Sequence, residues 1–324
     1  MEMIEENGNS SAYGEEYSHT PVMLNEVLEY LDLREGLTIV DCTLGGGGHA
    51  LEICKRIGKT GRLIGIEQDI QAMLKAKERL KGHNVTFVHD NFRNLDNIIK
   101  ETVSSGKVDG FLFDLGVSSF QLDDKSRGFS FMEDAFLDMR MDQRNDRTAA
   151  DIIDQMTENE LTTIFLESGY GRWARKIARA ITTTRKQSKI TTTAQLTAII
   201  TAIIKDKSSK IHPATKAFQA VRIAVNDEIA ALHEALITAV NHSNTEARIA
   251  VLSYHSLEDG ETKRTFRLLS GIPAPPSDKY EVFTRTEPEK LVEVLTKKPV
   301  EPSENEVKIN PRSRSAKLRA AKRI

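Results

Sequence analysis

The chain has 324 residues, with 45 Lys and Arg against 47 Asp and Glu, so its length allows one large domain or two modest ones and its net charge points to no particular partner. Its two cysteines, Cys42 and Cys54, exclude a disulfide framework, and no apolar run approaches the ~18 residues that a membrane helix needs. Because the acidic N-terminus also lacks the apolar segment of a signal peptide, we expect a cytoplasmic protein.

Strands and helices are predicted to alternate in the first third of the chain. Residues 1–18 contain five Glu and no basic side chain, and we expect them to be disordered. Beyond them, apolar runs predict strands at 37–42, 62–66, 85–88 and 108–115, and the segments between predict helices at 47–57, 69–80 and 92–101. This order predicts an α/β fold with a doubly wound sheet that binds ligands at the carboxyl ends of its strands.

The alternation stops after the fourth strand. Residues 123–226 are predicted to be helical, and the last helix is expected to continue beyond them as one long amphipathic helix. Its apolar positions recur at steps of three and four: Phe218, Val221, Val225, Ile229, Leu232 and Leu236. The strand pattern returns at 248–254. We therefore predict a discontinuous α/β domain, made of residues 19–122 and 227–324, with an all-helical substrate-recognition insertion at 123–226.

Positive charge is concentrated in two stretches of this nearly neutral chain. Residues 168–205 contain eight Lys or Arg and no acidic side chain, and residues 308–324 contain seven, again with no acid. Such stretches indicate an anionic partner, of which nucleic acid is the first candidate. A solvated helix face and a frayed tail are the alternative interpretation.

The segment DCTLGGGGH, from Asp41 to His49, directly follows the first predicted strand. A strand that breaks into four glycines is typical of a tight turn before a helix, and glycine lets a ligand approach the backbone closely. Gly45, Gly47 and Ala50 formally satisfy the G-x-G-x-x-G/A dinucleotide fingerprint, which is weak evidence taken alone.

Acidic side chains at several strand ends distinguish between possible cofactors. Asp41, Glu67 and Asp114 end the first, second and fourth strands, and Glu67 lies where a carboxylate would meet ribose hydroxyls. Phe92 follows the third strand and is placed to lie against adenine. Each acid alone could be a helix cap, but three in register favour S-adenosylmethionine, which has no phosphate, over a dinucleotide.

The wider sequence resembles one family. The matching segments are HTPV from residue 19, DCTLGGGGH from 41, DLGVSS from 114, QLD from 121, RGFSF from 127, LDMRMD from 137, HPATKAFQAVRIAVNDE from 212, SYHSLED from 253 and NPRSRSAKLR from 310. With them the chain resembles the bacterial 16S ribosomal RNA cytosine-N4 methyltransferases, the RsmH (MraW) family. The resemblance implies a class I (Rossmann-like) S-adenosylmethionine-dependent methyltransferase that methylates N4 of a cytidine in the decoding region of 16S rRNA.

The resemblance also implies a set of site residues. Position by position, the methyl-donor site falls on Gly47, Gly48, His49, Glu67, Phe92, Asp114 and Gln121. The chain departs from the family pattern at Glu67, where Asp is common, and at positions expected to face RNA: Phe120, Ala135, Phe136, Arg172, Trp173 and Gly260.

Asp114 is the expected catalytic residue, because acceptors on the amine N–H bonds would favour a localised nitrogen lone pair; a role toward the donor alone is the alternative. Ser118 and Ser119 bond the base edge or close a turn, and His255 faces the cytosine or is a core histidine. Candidate phosphate contacts are Arg172, Arg175, Lys176, Arg179, Arg185, Lys186 and Lys189. Candidate stacking aromatics, which could instead belong to the core, are Phe129, Phe131, Phe136 and Trp173.

Three other functions fit parts of the sequence. An NAD-dependent oxidoreductase explains the glycines but neither DLGVSS nor the basic insertion. A non-catalytic RNA-binding factor, and a methyltransferase acting on DNA or a small molecule, are the others. We expect the small ribosomal subunit as partner, no membrane and no metal site; the oligomeric state stays open, a dimer included.

Overall fold

The computed structural model describes residues 21–205, 212–273 and 288–324. The predicted disordered tail at 1–18 and most of the proline-rich loop after Pro273 lie outside these ranges. Among the helices that are described, none is both long and apolar enough to cross a membrane.

A seven-stranded sheet organises the chain. Its strands are β1 (Thr38–Asp41), β2 (Arg62–Glu67), β3 (Val85–His89), β4 (Val108–Asp114), β5 (Ser243–Ser253), β6 (Val292–Val294) and β7 (Lys317–Arg323). They lie in the order β3-β2-β1-β4-β5-β7-β6. The first five are mutually parallel, whereas β7 runs antiparallel to both β5 and β6. The predicted doubly wound α/β sheet is therefore confirmed.

Helices surround the sheet and fill the insertion. α1 (Leu24–Leu31) precedes β1, and α5 (Ser119–Asp123) follows β4. The first four strands are connected by α2 (Gly48–Ile57), α3 (Ile70–Arg79) and α4 (Leu95–Thr102). Between α5 and β5 come α6 (Ala149–Gln155), α7 (Glu158–Glu167), α8 (Ala174–Thr184), α9 (Thr193–Ile203), α10 (Thr215–Asn226) and α11 (Glu228–Asn241). The last two are α12 (Ser256–Leu269) and α13 (Glu304–Ile309).

Both faces of the sheet are buried, which explains why its central strands are so apolar. Successive side chains of a strand point to opposite faces. In β4, Phe111 and Phe113 accordingly join one hydrophobic cluster, covered by α4, α11 and α12. Leu112 joins the other, covered by α1 and α2. The two layers fix the sheet, so the carboxyl ends of its strands form a rigid edge.

The helices between α5 and α11 have a hydrophobic cluster of their own. Its buried members run from Leu137 to Val221 and include Phe165 on α7 and Ile177 on α8. This second core supports the predicted helical insertion, whose exact limits at 123 and 226 stay a prediction.

The prediction of one long helix through Phe218 and Leu236 was wrong. The helix breaks at Asp227, whose φ is +48°, so α10 ends at Asn226 and α11 begins at Glu228. Phe218 packs in the second core and Leu236 in the sheet core. Apolar residues recur at helical spacing on both sides of the break because α10 and α11 each bury one apolar face. The face of α10 packs in the second core and that of α11 in the sheet core.

The break is held by tertiary contacts. A left-handed Asp costs roughly 1 kcal/mol. Its carboxylate pairs with Arg93 at 2.7 Å, and the side chain of Asn226 bonds the backbone of both Met139 and Met141 at 2.8 Å. The sequence pattern carries no trace of these contacts, because the partners lie far away along the chain.

The basic stretch at 308–324 is not a frayed tail. Most of its second half is β7, an internal strand with Leu318, Ala320 and Ala321 buried. Its cations are paired within the protein: Arg319 with Asp259 at 2.6 Å, and Lys322 with Glu246 at 3.0 Å. A count of charges does not detect this strand, because its buried apolar residues lie between the cations.

Candidate active site

A cavity of about 370 Å³ lies at the carboxyl edge of the sheet. Five parallel strands reach this edge in the order β3, β2, β1, β4 and β5. At ~4.8 Å between neighbours, this row spans roughly 19 Å. The volume falls within the range typical of small-molecule pockets, and the row is long enough for an extended ligand that meets several strand ends.

The glycine loop after β1 forms one wall of the cavity. Gly45 and Gly47 have φ of +52° and +78°, which favours glycine. At Gly46 a Cβ atom would lie 2.8 Å from the ring of Phe120, so a side chain there would force Phe120 to move. Gly48 and His49 line the cavity, whereas Gly47 packs against Ala76 and Leu80 and contributes the turn only.

The start of α2 is open toward the cavity. Gly47 precedes the helix without any side-chain cap. The first N–H groups of a helix have no intrahelical partner, and they carry the positive end of its dipole. This end therefore offers donors to an anionic ligand group.

Glu67 ends β2 and is nearly sealed from solvent, with 9% of its surface exposed. One carboxylate oxygen accepts the N–H of Gly45 at 2.7 Å, and the other accepts the N–H of Asp69 at 2.8 Å. Burial raises the pKa of Glu67 to about 7, although these N–H bonds oppose the rise. Glu67 thus fixes the glycine loop and still presents lone pairs at the cavity wall.

Phe92 follows β3 and also lines the cavity. Its ring packs edge-on against Phe113, with centroids 5.9 Å apart and an angle of 81° between the rings. The neighbouring Asp90 and Asn91 line the same end. This end combines an apolar ring with polar groups, which suits a heterocyclic base.

Asp114 ends β4, and three groups hold it. Its N–H donates to Thr43 Oγ1 at 2.6 Å. The hydroxyl of Tyr254 donates to Oδ1 at 2.7 Å, and His49 Nδ1 lies 3.3 Å from Oδ2. Burial and the charge of Asp114 raise the pKa of Tyr254 well above its ordinary value, so the phenol remains a donor.

His49 connects this carboxylate to the start of the described chain. Its Nε2 lies 2.9 Å from the carbonyl oxygen of Val22. A carbonyl and a carboxylate accept hydrogen bonds, so this environment favours protons on both ring nitrogens, the imidazolium form. Burial disfavours this charge, but the hydrogen bond and charge of Asp114 and the charge of Asp41 outweigh it and raise the pKa of His49.

Asp41, at the end of β1, is buried behind this pair and accepts the N–H of Thr43 at 3.1 Å. Burial raises its pKa to about 6, although the charge of His49 opposes the rise. Asp41 lines the cavity floor as the sequence predicted, and its field helps to keep His49 protonated.

Gln121 and Ser118 form the turn into α5. Ser118 Oγ accepts the N–H of Gln121, and Gln121 Oε1 accepts the N–H of Ser118, a reciprocal capping box. Gln121 Nε2 also donates to Asp69 at 3.3 Å, and Asp69 pairs with the buried Arg127. Ser118 therefore closes the turn, while the side-chain role predicted for Ser119 lies outside what the structure describes.

His255 follows β5 and caps α12. Its Nδ1 accepts the N–H of Glu258 at 3.4 Å, and its Nε2 lies 3.0 Å from Oε1 of Glu258. The ring is thus a hydrogen-bonded, largely buried histidine that also lines the cavity. Both alternatives from the sequence, cavity residue and core histidine, describe it in part.

Comparison with known proteins identifies the family. The model of the MraW methylase family matches residues 16–324. The chain belongs to this family. It is 46% identical over 312 residues to the ribosomal RNA small subunit methyltransferase H of Clostridium botulinum (strain Loch Maree), covering 95% of this chain and 100% of that protein. It is 43% identical over 315 residues to the protein of that name from Finegoldia magna, covering 95% and 99%.

A solved structure of an rRNA methylase from Streptococcus thermophilus aligns with a TM-score of 0.40 and 10% identity, covering 93% of each chain. Membership in a methylase family confirms the predicted methyltransferase and its donor, S-adenosylmethionine. The oxidoreductase alternative is excluded. The cavity fits this donor, because it offers carboxylate acceptors at the strand ends, free N–H donors at α2 and an aromatic ring at Phe92.

The predicted RNA contacts of the insertion are not among the residues that line this cavity. Arg172, Arg175, Lys176 and Arg179 are all exposed, at and after the start of α8. Their spacing of three and four residues places them on one helix face, the α8 basic face. Arg172 and Lys176 each lie over the ring of Trp173, 5.0 Å from its centroid, so this ring has two cationic neighbours.

Other insertion candidates are structural. Nη1 of Arg185 donates to the carbonyl oxygens of Ile153 and Met156 at 2.6 and 2.7 Å, so this side chain caps α6. Phe131 stacks on His212 at 4.8 Å and belongs, with Phe129, to the second core. Phe136 stays half-exposed. Trp173 also packs against this core, so the core alternative given for these aromatics holds for Phe129, Phe131 and Trp173.

The lining residues that the sequence analysis missed include Tyr254, Arg222 and Met141. Tyr254 had a usable signal, since it ends the strand predicted at 248–254, beside Asp114. Arg222 and Met141 come from the insertion, and only the folded structure brings them to the sheet edge.

Proposed function

We propose that this chain transfers the methyl group of S-adenosylmethionine to the exocyclic N4 of a cytidine in the decoding region of 16S rRNA, within the small ribosomal subunit. The names of its relatives support the RNA class. One observation carries the chemistry: Asp114 stands in the middle of the cavity edge, between the glycine loop and β5, with both oxygens anchored.

The donor site follows the sheet edge. Phe92 would lie against adenine at the β3 end, and Glu67 would accept the ribose hydroxyls beside it. The N–H groups of Gly48 and His49 would receive the carboxylate of the amino acid. Gln121 would act through its bonds to Ser118 and Asp69, which shape the loop around the ligand, and Gly47 through its turn.

The target amine is a poor nucleophile, because its lone pair is delocalised into the ring. When bound, S-adenosylmethionine supplies an electrophilic methyl group on a sulfonium. Asp114 would accept an N–H bond of the amine with the lone pairs that Tyr254 and His49 leave free, and the carbonyl groups of Leu115 to Val117 lie beside it. A fixed acceptor orients the nitrogen, and orientation can supply much of the rate.

His49 and Tyr254 position this acceptor. Tyr254 donates to one oxygen of Asp114 and His49 lies against the other, so the carboxyl group cannot rotate freely. The same contacts place Asp114 beside the glycine loop. They therefore favour a transfer role for Asp114 over a role confined to donor binding.

RNA would reach this edge with the target base out of its stack, since a paired base hides its amine. The α8 basic face would contact phosphates and set the orientation of the RNA. Since these residues do not line the cavity, their contacts with phosphates would not depend on the target base itself.

The test is transfer of labelled methyl groups from S-adenosylmethionine to small ribosomal subunits that lack the modification. Large subunits and double-stranded DNA serve as control substrates. We expect incorporation into small-subunit rRNA alone, mapped by nuclease protection to one decoding-region position. Incorporation into DNA, or none into the small subunit while the donor still binds, would contradict the proposal.

A further inference from the structure

The β5 side of the cavity contains a cationic side chain from the insertion. Arg222 lies on α10, which packs in the second core, yet its guanidinium lines the cavity beside Tyr254 and His255. Its side chain is only 13% exposed. The other two arginines of the cavity lining, Arg79 and Arg312, are exposed.

A carboxylate fixes the plane of this guanidinium. Nε and Nη2 of Arg222 bond the two oxygens of Glu228 at 2.8 and 2.7 Å, a bidentate pair. Glu258 Oε1 lies 3.9 Å from Nη2 on another side. Although burial disfavours the charge, Glu228 and Glu258 raise the pKa of Arg222, so the guanidinium stays protonated.

The same geometry argues against a metal ion here. Glu228, His255 and Glu258 bring three possible ligand atoms within 4.8 Å of one another. However, Arg222 contacts all three, at 2.7, 3.4 and 3.9 Å. The guanidinium already supplies the cation that the carboxylates need.

Nη1 of the Arg222 guanidinium is not used by these contacts. Within the described chain, the hydrogen bonds of Arg222 use Nε and Nη2, and Nη1 has no partner. An arginine carries two N–H bonds on that nitrogen. They remain available to a ligand in the cavity that Asp114 also lines.

We propose that Arg222 reads the target base, donating an N–H of Nη1 to N3 of cytosine while Asp114 accepts from its N4 amine. This inference rests on the proposed function. Cytosine presents a donor at N4 beside an acceptor at N3, and the cavity lining offers the complementary pair, the carboxylate of Asp114 and an N–H of Arg222. Uracil carries a hydrogen on N3 and a carbonyl at C4, so it would meet like groups at both positions.

The test is a double-mutant cycle in which one change is made in the protein, at Arg222, and the other in the substrate, at N3 of the cytosine. Wild type and Arg222→Lys are each assayed on small subunits reconstituted with cytidine or 3-deazacytidine, which lacks the N3 acceptor, at the target position. Lys keeps a charge for Glu228 but removes the guanidinium fork. We expect the wild type to lose roughly 10- to 100-fold in kcat/KM on the analogue, and Arg222→Lys to lose about as much on cytidine, mainly through KM.

The decisive measurement is the activity of Arg222→Lys on subunits that contain 3-deazacytidine. If Arg222 meets N3, the variant loses little more on the analogue, because that hydrogen bond is already absent. Arg93→Lys is the matched control, since Arg93 forms an ion pair with Asp227 at the same helix junction but does not line the cavity. For this control, the ratio of kcat/KM on cytidine to kcat/KM on the analogue should equal the wild-type ratio.

Two failures are distinguishable. If the wild type places no methyl on cytidine N4, the proposed function is wrong. If it does, but Arg222→Lys is as sensitive to the analogue as the wild type, Arg222 only braces α10 against α11 and this inference is wrong. Should Arg222→Lys fold poorly, the neutral pair Arg222→Gln with Glu228→Gln replaces it in the same cycle.

Discussion

At Asp114, Tyr254 and His49 hold the two carboxylate oxygens, and Thr43 accepts the backbone N–H. These partners come from two separate parts of the chain, the segment after β1 and the end of β5. Such an acceptor is oriented before any substrate arrives. Preorganised charge of this kind acts without reorganisation during the reaction. The position of Asp114 therefore matters as much as its charge.

Replacing Asp114 by Asn tests its charge with little change of shape. We expect kcat to fall by about 100-fold or more, the scale of removing a charged catalytic group, with donor affinity reduced less than 10-fold. Single-turnover transfer and calorimetric binding of S-adenosylmethionine measure the two effects. A variant whose kcat recovers at saturating donor would assign Asp114 to donor binding alone.

The buried carboxyl of Glu67 predicts a pH dependence. Burial raises its pKa from 4.5 to about 7 in the folded protein. Since the folded pKa is the higher one, its contribution to stability is complete below about pH 4.5 and is lost as pH rises through about 7. The loss is on the order of 3 kcal/mol in the free energy of unfolding.

Urea unfolding of wild type and Glu67→Gln between pH 4.5 and 8 measures this loss as a difference, so that other groups cancel. Donor affinity should change in the opposite direction, rising with pH through about 7 in the wild type and staying flat in the variant, because ribose hydroxyls donate to the ionised form. A parallel pH profile for the two proteins would contradict this account of Glu67.

Among the elements, α8 carries the clearest electrostatic prediction. Reversing Arg175 and Arg179 to Glu should weaken RNA binding and reduce the slope of log K against log salt by roughly 2, about 0.9 for each phosphate that the protein no longer neutralises. Binding to small-subunit rRNA at several salt concentrations measures the slope.

The matched control reverses Arg56 and Lys59, which are exposed near the end of α2. Ten residues separate that end from the cavity, or roughly 15 Å. This control should leave the salt slope unchanged. An equal slope for both variants would remove α8 from the RNA-binding surface.

The sequence predicted those helices and strands whose apolar residues all pack in a single core. Strands β1 to β4 fall within two residues of their predicted limits, because each is a short apolar run between turn residues. The break at Asp227 and the strand β7 were not, since both depend on partners elsewhere in the chain. Arg222 was missed for the same reason: 33 residues separate it from His255, which it contacts.

At the scale of the whole molecule, two cores share one active-site edge. The sheet core positions the residues of the methyl-donor site, and the second core, which is the helical core of the insertion, positions Arg222 and the α8 basic face. Destabilising the two cores should therefore have different consequences for donor binding and RNA methylation.

Phe165 and Phe111 form a matched pair for this test, because both are fully buried, one in each core. Either change to Ala should cost roughly 3–5 kcal/mol. Trp173, the single tryptophan, packs on the helical core, so its fluorescence follows that core. In Phe165→Ala we expect the fluorescence midpoint to fall while donor affinity persists; in Phe111→Ala donor affinity should fall too.

Loss of donor affinity in Phe165→Ala at temperatures where the sheet is intact would show that the two cores do not act separately. The predicted limits of the insertion at 123 and 226 would then need revision.

The central claim is the identity of the methylated atom. Small subunits lacking the modification, treated with enzyme and labelled S-adenosylmethionine, are digested to nucleosides, and the labelled product is identified by mass spectrometry against standards. We predict N4-methylcytidine at one position of the decoding region, absent with Asp114→Asn. A label found on the cytosine ring carbon, on a ribose hydroxyl or on another base would contradict the arrangement of Asp114 proposed above.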